Sequence, residues 1–322
     1  MSYDLIIVGS GAAGLSAAVY SGRYRMNTLV IGDEFGGYTS IAGPIENYPG
    51  YSSIDGFDLM VNMKKQATDL GIEIRDGRVE DIRRTESGCF AVRTKKGEEF
   101  FSNTLVIATG TEHRRLGIPN EKELTGKGVH YCVTCDGPLY GGKTIAVVGG
   151  GDSSIKGVNL AAEYAKKIYL IVRGTKVSAE PINYERMQRL GDKVEVLFET
   201  EVKEIVGEGK FEKAVLSKPV NGSTDLAVDG LFIEVGLLPR SELLKKAGID
   251  LDEKGYAQAD QMMRTNVPGA FVAGDIFNLF EGFRQDITAA AMGAVAATSA
   301  YEYYKIHGDL CKLHGKAPDG IG

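Results

Sequence analysis

Cys132 and Cys135, in the run Cys132-Val133-Thr134-Cys135-Asp136, are the residues best suited to chemistry in this 322-residue chain. Two cysteines at this spacing can close a small disulfide that is reducible rather than structural. Asp136 follows directly, where it could give a proton to a leaving thiolate. A zinc site would need two more ligands. His130 is close, but there is no second Cys-x-x-Cys, and Cys89 and Cys311 are distant, so redox chemistry is expected and a metal is not. Cys89 and Cys311 read as bystanders. His113, His130, His307 and His314 read as surface or loop residues, and Tyr301, Tyr303 and Tyr304 as helix packing.

A second constellation is Gly9-Ser10-Gly11-Ala12-Ala13-Gly14. In a dinucleotide fingerprint the first glycine permits the tight turn, the second lets backbone approach a pyrophosphate, and the third lets the helix pack on the strand. Asp33 and Glu34 lie 24 and 25 residues after Gly9, near the place for a carboxylate on a ribose hydroxyl. A less complete copy is Gly149-Gly150-Gly151-Asp152-Ser153-Ser154, with Ser154 in the place of the third glycine. The segment after its second strand holds Arg173 and Lys176 and no carboxylate. A nicotinamide nucleotide there would meet Gly149, Gly151, Asp152, Ser153, Ser154, Arg173 and Lys176. The alternative is an inherited fold whose ligand has changed or gone.

The elements that position these groups are legible. Residues 4–8 (DLIIV) and 28–31 read as strands buried on both faces of a parallel sheet, with a helix between them. Residues 144–148 (TIAVV) and 168–172 (IYLIV) repeat the pattern around a helix at 156–166. Residues 72–101 read as a three-stranded antiparallel meander broken by Gly77, Gly88 and Gly97. Residues 194–228 have the same texture, with an Asn221-Gly222 hairpin signal. Two more apolar strands end at Thr109-Gly110 and Gly274-Asp275. Residues 286–305 read as a helix, and the tail after Gly308 is expected to fray.

Composition sets limits. The length suggests about two domains. The hydrophobic share of 43% and charged share of 25% exclude wholesale disorder. The 42 glycines have no collagen period and so belong to turns and close approaches. A formal charge of −6 argues against nucleic acid. The longest low-polarity run, 287–300, is too short to span a membrane, which takes about 20 residues. The opening residues carry no basic leader and the cysteines are too few for a secreted framework, so a cytoplasmic protein is expected.

The order GSGAAG, Gly36-Gly37, ENYPG at 46–50, ATG at 108–110, CVTCDG at 132–137, GGGDS at 149–153 and AGD at 273–275 resembles the low-molecular-weight, prokaryotic-type thioredoxin reductases. These are FAD-dependent pyridine nucleotide–disulfide oxidoreductases. The resemblance runs from about residue 3 to 305. It implies an α/β fold of two Rossmann-like dinucleotide-binding domains, the second inserted into the first, each with a small antiparallel meander. The FAD domain would be 1–112 with 244–322, and the nucleotide-type domain 113–243. Homodimers and a rotation of the domains are also implied.

By the same resemblance Gly9, Gly11 and Gly14, with Ser10, Ala12 and Ala13, hold the FAD pyrophosphate. Asp33 or Glu34 meets the adenosine ribose. Gly36, Gly37, Tyr38, Asn47, Thr109, Gly110, Gly274, Asp275, Arg284 and Gln285 complete the site. Cys135 faces the flavin, Cys132 attacks the thioredoxin disulfide, and Asp136 is the acid. Two departures stand out. The family's NADPH clamp reads His-Arg-Arg, three residues, Arg-Ala, where this chain has Val172-Arg173-Gly174 and Ser178-Ala179. Losing Arg–phosphate pairs at about 1.5–3 kcal/mol each would weaken NADPH about a hundredfold or more. The lack of a carboxylate argues against simple conversion to NADH. Tyr38 stands where the family usually has Gln. The implied function is thioredoxin-disulfide reduction, with NADPH, NADH, a ferredoxin or a deazaflavin as donor. The alternatives are a dithiol oxidase using oxygen and a redox-signalling flavoprotein.

Overall fold

The computed structural model describes residues 2–308; Cys311, His314 and the tail lie outside the described residues. The chain divides into two units, Met1–Glu112 with Pro239–Gly322, and His113–Leu238.

In the first unit Leu5, Ile6 and Ile7 of the strand Ser2–Val8 are all fully buried, which requires cover on both faces. The strand pairs in parallel with Thr28–Gly32 (Ile7 opposite Val30) and with Glu99–Ile107 (Ile7 opposite Val106). Alternation then sorts the side chains. Leu5, Ile7, Val30 and Val106 meet Ala17, Ala296, Ala297 and Ala300 of the helices Ala12–Arg23 and Asp286–His307. Ile6, Val8, Leu29 and Ile107 face the opposite core with Ile82, Phe90 and Val92. The two helices approach closely because Gly293 has no side chain: a Cβ there would sit 2.0 Å from the Ala13 carbonyl oxygen.

The meander expected over 72–101 is corrected in part. Glu73–Asp76 pairs in parallel with Thr28–Gly32 instead, because the helix Gly56–Asp69 before it supplies a crossover. Val79–Arg84, Phe90–Thr94 and the first half of Glu99–Ile107 form the antiparallel part. The second half of Glu99–Ile107 re-enters the parallel sheet, where Ala270–Val272 also joins it.

The second unit repeats the plan. Its parallel sheet runs Val129–His130, Gly230–Ile233, Thr144–Val148, Lys167–Ile171, Val194–Leu197. Residues 194–197 are thus a parallel edge strand, not part of the second meander. That meander is Val202–Val206, Lys213–Val220 and Ser223–Leu226. Asn221 and Gly222 both take positive φ, 50° and 85°, as a two-residue hairpin turn of this chemistry requires. The helix expected at 156–166 is Asp152–Ala161. It begins directly at the glycine turn, and Asp152 suits its first turn. No helix among the described residues is long and apolar enough to cross a membrane.

Candidate functional site

Cys132 caps the short helix Val133–Asp136, and its sulfur accepts the Cys135 backbone N–H at 3.1 Å. The two sulfurs are joined, with 5.3 Å between the Cα atoms. Val133, buried between the cysteines, anchors the helix against Asp152–Ala161, where Gly157 leaves it room. Cys135 is exposed and Cys132 half-buried. Cys89 is buried and is not a free thiol, so it is not the solitary cysteine its place in the sequence suggests.

His130 was expected at the surface, and the structure corrects this. It is 6% exposed, pressed flat on Phe232 with ring centres 5.2 Å apart. Its Nδ1 lies 2.9 Å from Asp136 Oδ2, and its Nε2 lies 2.8 Å from the Tyr140 hydroxyl. A buried imidazole needs partners for both nitrogens, and here it has them. Burial first, then the charges of Asp136 and Asp229, push the Tyr140 hydroxyl up. Gly230 makes space for that ring: a Cβ would come within 2.4 Å of it.

Glu234 escaped the sequence reading. It follows the strand Gly230–Ile233 and is half-buried. Lost hydration pushes its carboxyl up to about 7, against the opposing hydrogen bond from the Val133 N–H. The signal was present as a lone acid between Ile233 and Val235.

The first glycine turn fits a dinucleotide. Gly9 has φ of 115°, and a Cβ there would meet the Ala108 carbonyl oxygen at 2.3 Å. A Cβ on Gly14 would meet the Gly9 carbonyl oxygen at 1.9 Å. At Gly11 the nearest atom to such a Cβ is 3.8 Å away, so the cradle there is open. The helix that follows has no side-chain cap and no acid in its first turn, which leaves its N–H groups for an anion. Ala12 and Ala13, its first two residues, are buried. Ser10 ties the turn to the Glu34 carbonyl. Arg240 holds the Glu34 carboxylate at 2.9 and 3.1 Å, and Arg78 lies 4.0 Å from Asp33. Gly36 and Gly37 take positive φ beside the half-buried Tyr38.

Other groups in this unit are prepared for a polar ligand. The Thr109 hydroxyl, next to Gly110, is buried with no protein partner. Asp275, after Gly274, is pushed up to about 6 by burial, against the pull of Arg284 and with a further push from Asp286. Tyr256 holds Arg284 through its hydroxyl and ring face. Asn47 donates to Gln285 at 3.0 Å, and Gln285 in turn caps Asp286–His307.

The second turn is only partly suited to a nucleotide. Gly149 has φ of 143°, and Ser154 is buried where the third glycine would stand. Gly151 faces open space. Asp152 is used internally. Burial would raise its carboxyl, but hydrogen bonds from Lys156, Asn183 and the Glu180 N–H outweigh this and hold it low. Ser178 N–H donates to the Gly150 carbonyl at 2.7 Å, closing the loop onto the turn. Ser153, Arg173 and Lys176 are exposed.

The sequence matches the family description Pyridine nucleotide-disulphide oxidoreductase over residues 3–297. A thioredoxin reductase of Listeria innocua is 38% identical over 304 residues, covering 94% of this chain and 93% of that one. The crystal structure of Lactococcus lactis thioredoxin reductase superposes with a TM-score of 0.88 at 36% identity, covering 94% and 99%. That of T. acidophilum thioredoxin reductase gives 0.86 at 35%, covering 94% and 98%. The matched span contains both glycine turns, the disulfide and its aspartate, and the chain belongs to the pyridine nucleotide-disulphide oxidoreductase family.

Proposed function

We propose that the chain is a thioredoxin-disulfide reductase that uses FAD. The observation that carries this is the Cys132–Cys135 disulfide with a hydrogen-bonded acid, Asp136, beside it. The thioredoxin reductases among its relatives support the substrate. When bound, FAD supplies a two-electron carrier between the donor and the disulfide. Gly9, Gly11, Gly14 and the helix N–H groups hold its pyrophosphate, with Asp33 and Glu34 for the ribose. Asp275, Thr109, Asn47 and Gln285 offer it hydrogen bonds.

The reduced pair then acts in two exchanges. The Cys132 thiolate attacks one sulfur of the thioredoxin disulfide, forming a mixed disulfide and expelling a thiolate on thioredoxin. Cys135 attacks the Cys132 sulfur, re-forms the Cys132–Cys135 bond and releases the second thiolate. Asp136 gives a proton to the leaving thiolate. Thioredoxin gains two electrons and two protons, one from Asp136 and one from the Cys135 thiol, and the pair loses two electrons. In this reading the unit Met1–Glu112 with Pro239–Gly322 is the FAD domain and His113–Leu238 the nucleotide-type domain. The enzyme works as a cytoplasmic homodimer.

The donor reading follows from the exposed loop after Lys167–Ile171. With Arg173 and Lys176 alone, NADPH binds weakly, and the segment 172–178 offers NADH no carboxylate. A ferredoxin or a deazaflavin is therefore the second reading for the donor.

The test separates the two halves. The holoenzyme is reduced photochemically without oxygen and mixed with oxidised thioredoxin. Reoxidation of the flavin with formation of thioredoxin dithiol is expected. A flavin that stays reduced would sink the proposal. Titration with NADPH, then NADH, reads the donor by flavin bleaching.

A further inference from the structure

Asp136, whose side chain is 36% exposed, is one end of a hydrogen-bonded chain. His130 Nδ1 meets its carboxylate, and His130 Nε2 meets the Tyr140 hydroxyl. His130 and Tyr140 are both more than nine-tenths buried, so water reaches Asp136 only from its own exposed side and not through the faces they cover. Both residues also line a cavity of about 280 Å³ that opens to solvent. Lys127, Lys143, Lys210 and Asp229 line it too, while neither cysteine nor Asp136 does. Phe232 stacks on His130 and meets Tyr140 edge-on, which keeps the two polar groups in register.

We infer that Tyr140 and His130 are a proton path from this cavity to Asp136. The inference rests on Asp136 being the acid of the exchange. When Asp136 gives its proton to a thiolate, the His130 Nδ1 proton moves to the carboxylate. Nε2 takes the Tyr140 hydroxyl proton, and the hydroxyl takes one from cavity water. Asp136 and the hydroxyl each give one proton and receive one, Nδ1 loses one and Nε2 gains one, so the ring changes tautomer and the net change is one solvent proton taken up for the one Asp136 gave. The acid can thus be recharged while the sulfurs are covered by a reaction partner. Both His130 and Tyr140 are positioning residues here, acting through Asp136.

The charged groups around the path are Asp136 at one end and Asp229 near the hydroxyl. Lys143 lies over the Tyr140 ring at 5.3 Å, with Lys127 and Lys210 on the cavity wall. A shortage of solvent protons should therefore show first at alkaline pH. Single-turnover oxidation of the reduced holoenzyme by thioredoxin is followed against pH for the wild type, Tyr140→Phe, His130→Gln and Asp136→Asn. Tyr140→Phe removes one oxygen atom and keeps the packing.

Tyr140→Phe and His130→Gln are expected to slow the exchange about tenfold above about pH 8, with less effect near pH 6, and millimolar imidazole should restore the rate. A structural role alone would give a pH-independent loss that imidazole does not repair. Slow Asp136→Asn beside wild-type rates for the other two would overturn the path and leave the acid intact. Wild-type rates for Asp136→Asn would overturn the acid reading itself. Should a variant not fold, the wild type in H2O/D2O mixtures decides. A curved dependence on deuterium fraction, from more than one proton in flight, is expected, and a linear one overturns the path.

Discussion

The Glu234 carboxyl accepts the backbone N–H of Val133, the residue between Cys132 and Thr134 at the start of the redox helix. An acid is thereby placed at the first residue of the helix that carries the disulfide, from a strand some hundred residues later in the chain, and burial holds it up at about 7. Its ordinary value is 4.5, so between 4.5 and about 7 the folded chain binds the proton and the unfolded chain does not. The stabilising contribution is complete below 4.5 and is lost as pH rises through about 7. The upper bound is about 3 kcal/mol, reduced because part of the side chain reaches water. Glu234→Gln should match the wild type in unfolding free energy at pH 8 or exceed it, and lose that advantage at pH 4.5. Denaturant titrations at the two pH values check this.

Gly11 and Gly14 should separate binding from folding. Gly14→Ala drives a methyl into the Gly9 carbonyl and should destabilise the chain by about 2–4 kcal/mol. Gly11 has φ of −79° and an open surround, so Gly11→Ala should leave apo stability within about 1 kcal/mol. The same methyl would occupy the phosphate's place, and the purified variant should be colourless. Thermal melts of the apo forms and flavin content on purification read the two effects.

Asp275 should make flavin affinity depend on pH. Its carboxyl is held up at about 6 by burial, and the ionised form is the better acceptor for ligand hydroxyls. FAD affinity should rise as pH increases through about 6, and Asp275→Asn should flatten this rise and weaken binding about tenfold or more. Fluorescence titration of apoprotein with FAD from pH 5 to 8 tests it.

The loop at 172–178 should accept a rebuilt clamp. Gly174 and Ser178 are exposed, and a Cβ at Gly174 would meet nothing closer than 3.8 Å. Gly174→Arg with Ser178→Arg should improve NADPH affinity about tenfold or more for each guanidinium that reaches the 2′-phosphate. NADH should be unaffected. Parallel anaerobic titrations with the two nucleotides compare the outcomes.

Local order alone determined much of this protein. Apolar runs such as DLIIV read as strands covered on both faces, and the glycines at 9, 11 and 14 as a tight turn between strand and helix. The Cys132–Cys135 pair and Asp136 were legible because their chemistry lies within five consecutive residues. Strand partnership was not, because 73–76 and 194–197 have the composition of meander strands and become parallel edges only through the chain that precedes them. The surroundings of Asp136 were equally hidden. His130, Tyr140 and Phe232 meet because parallel strands bring residue 130 beside 232, a separation no spacing rule reaches. Whether a histidine is solvated or buried, and whether a glutamate titrates near 4.5 or near 7, depends on desolvation, and only packing sets that.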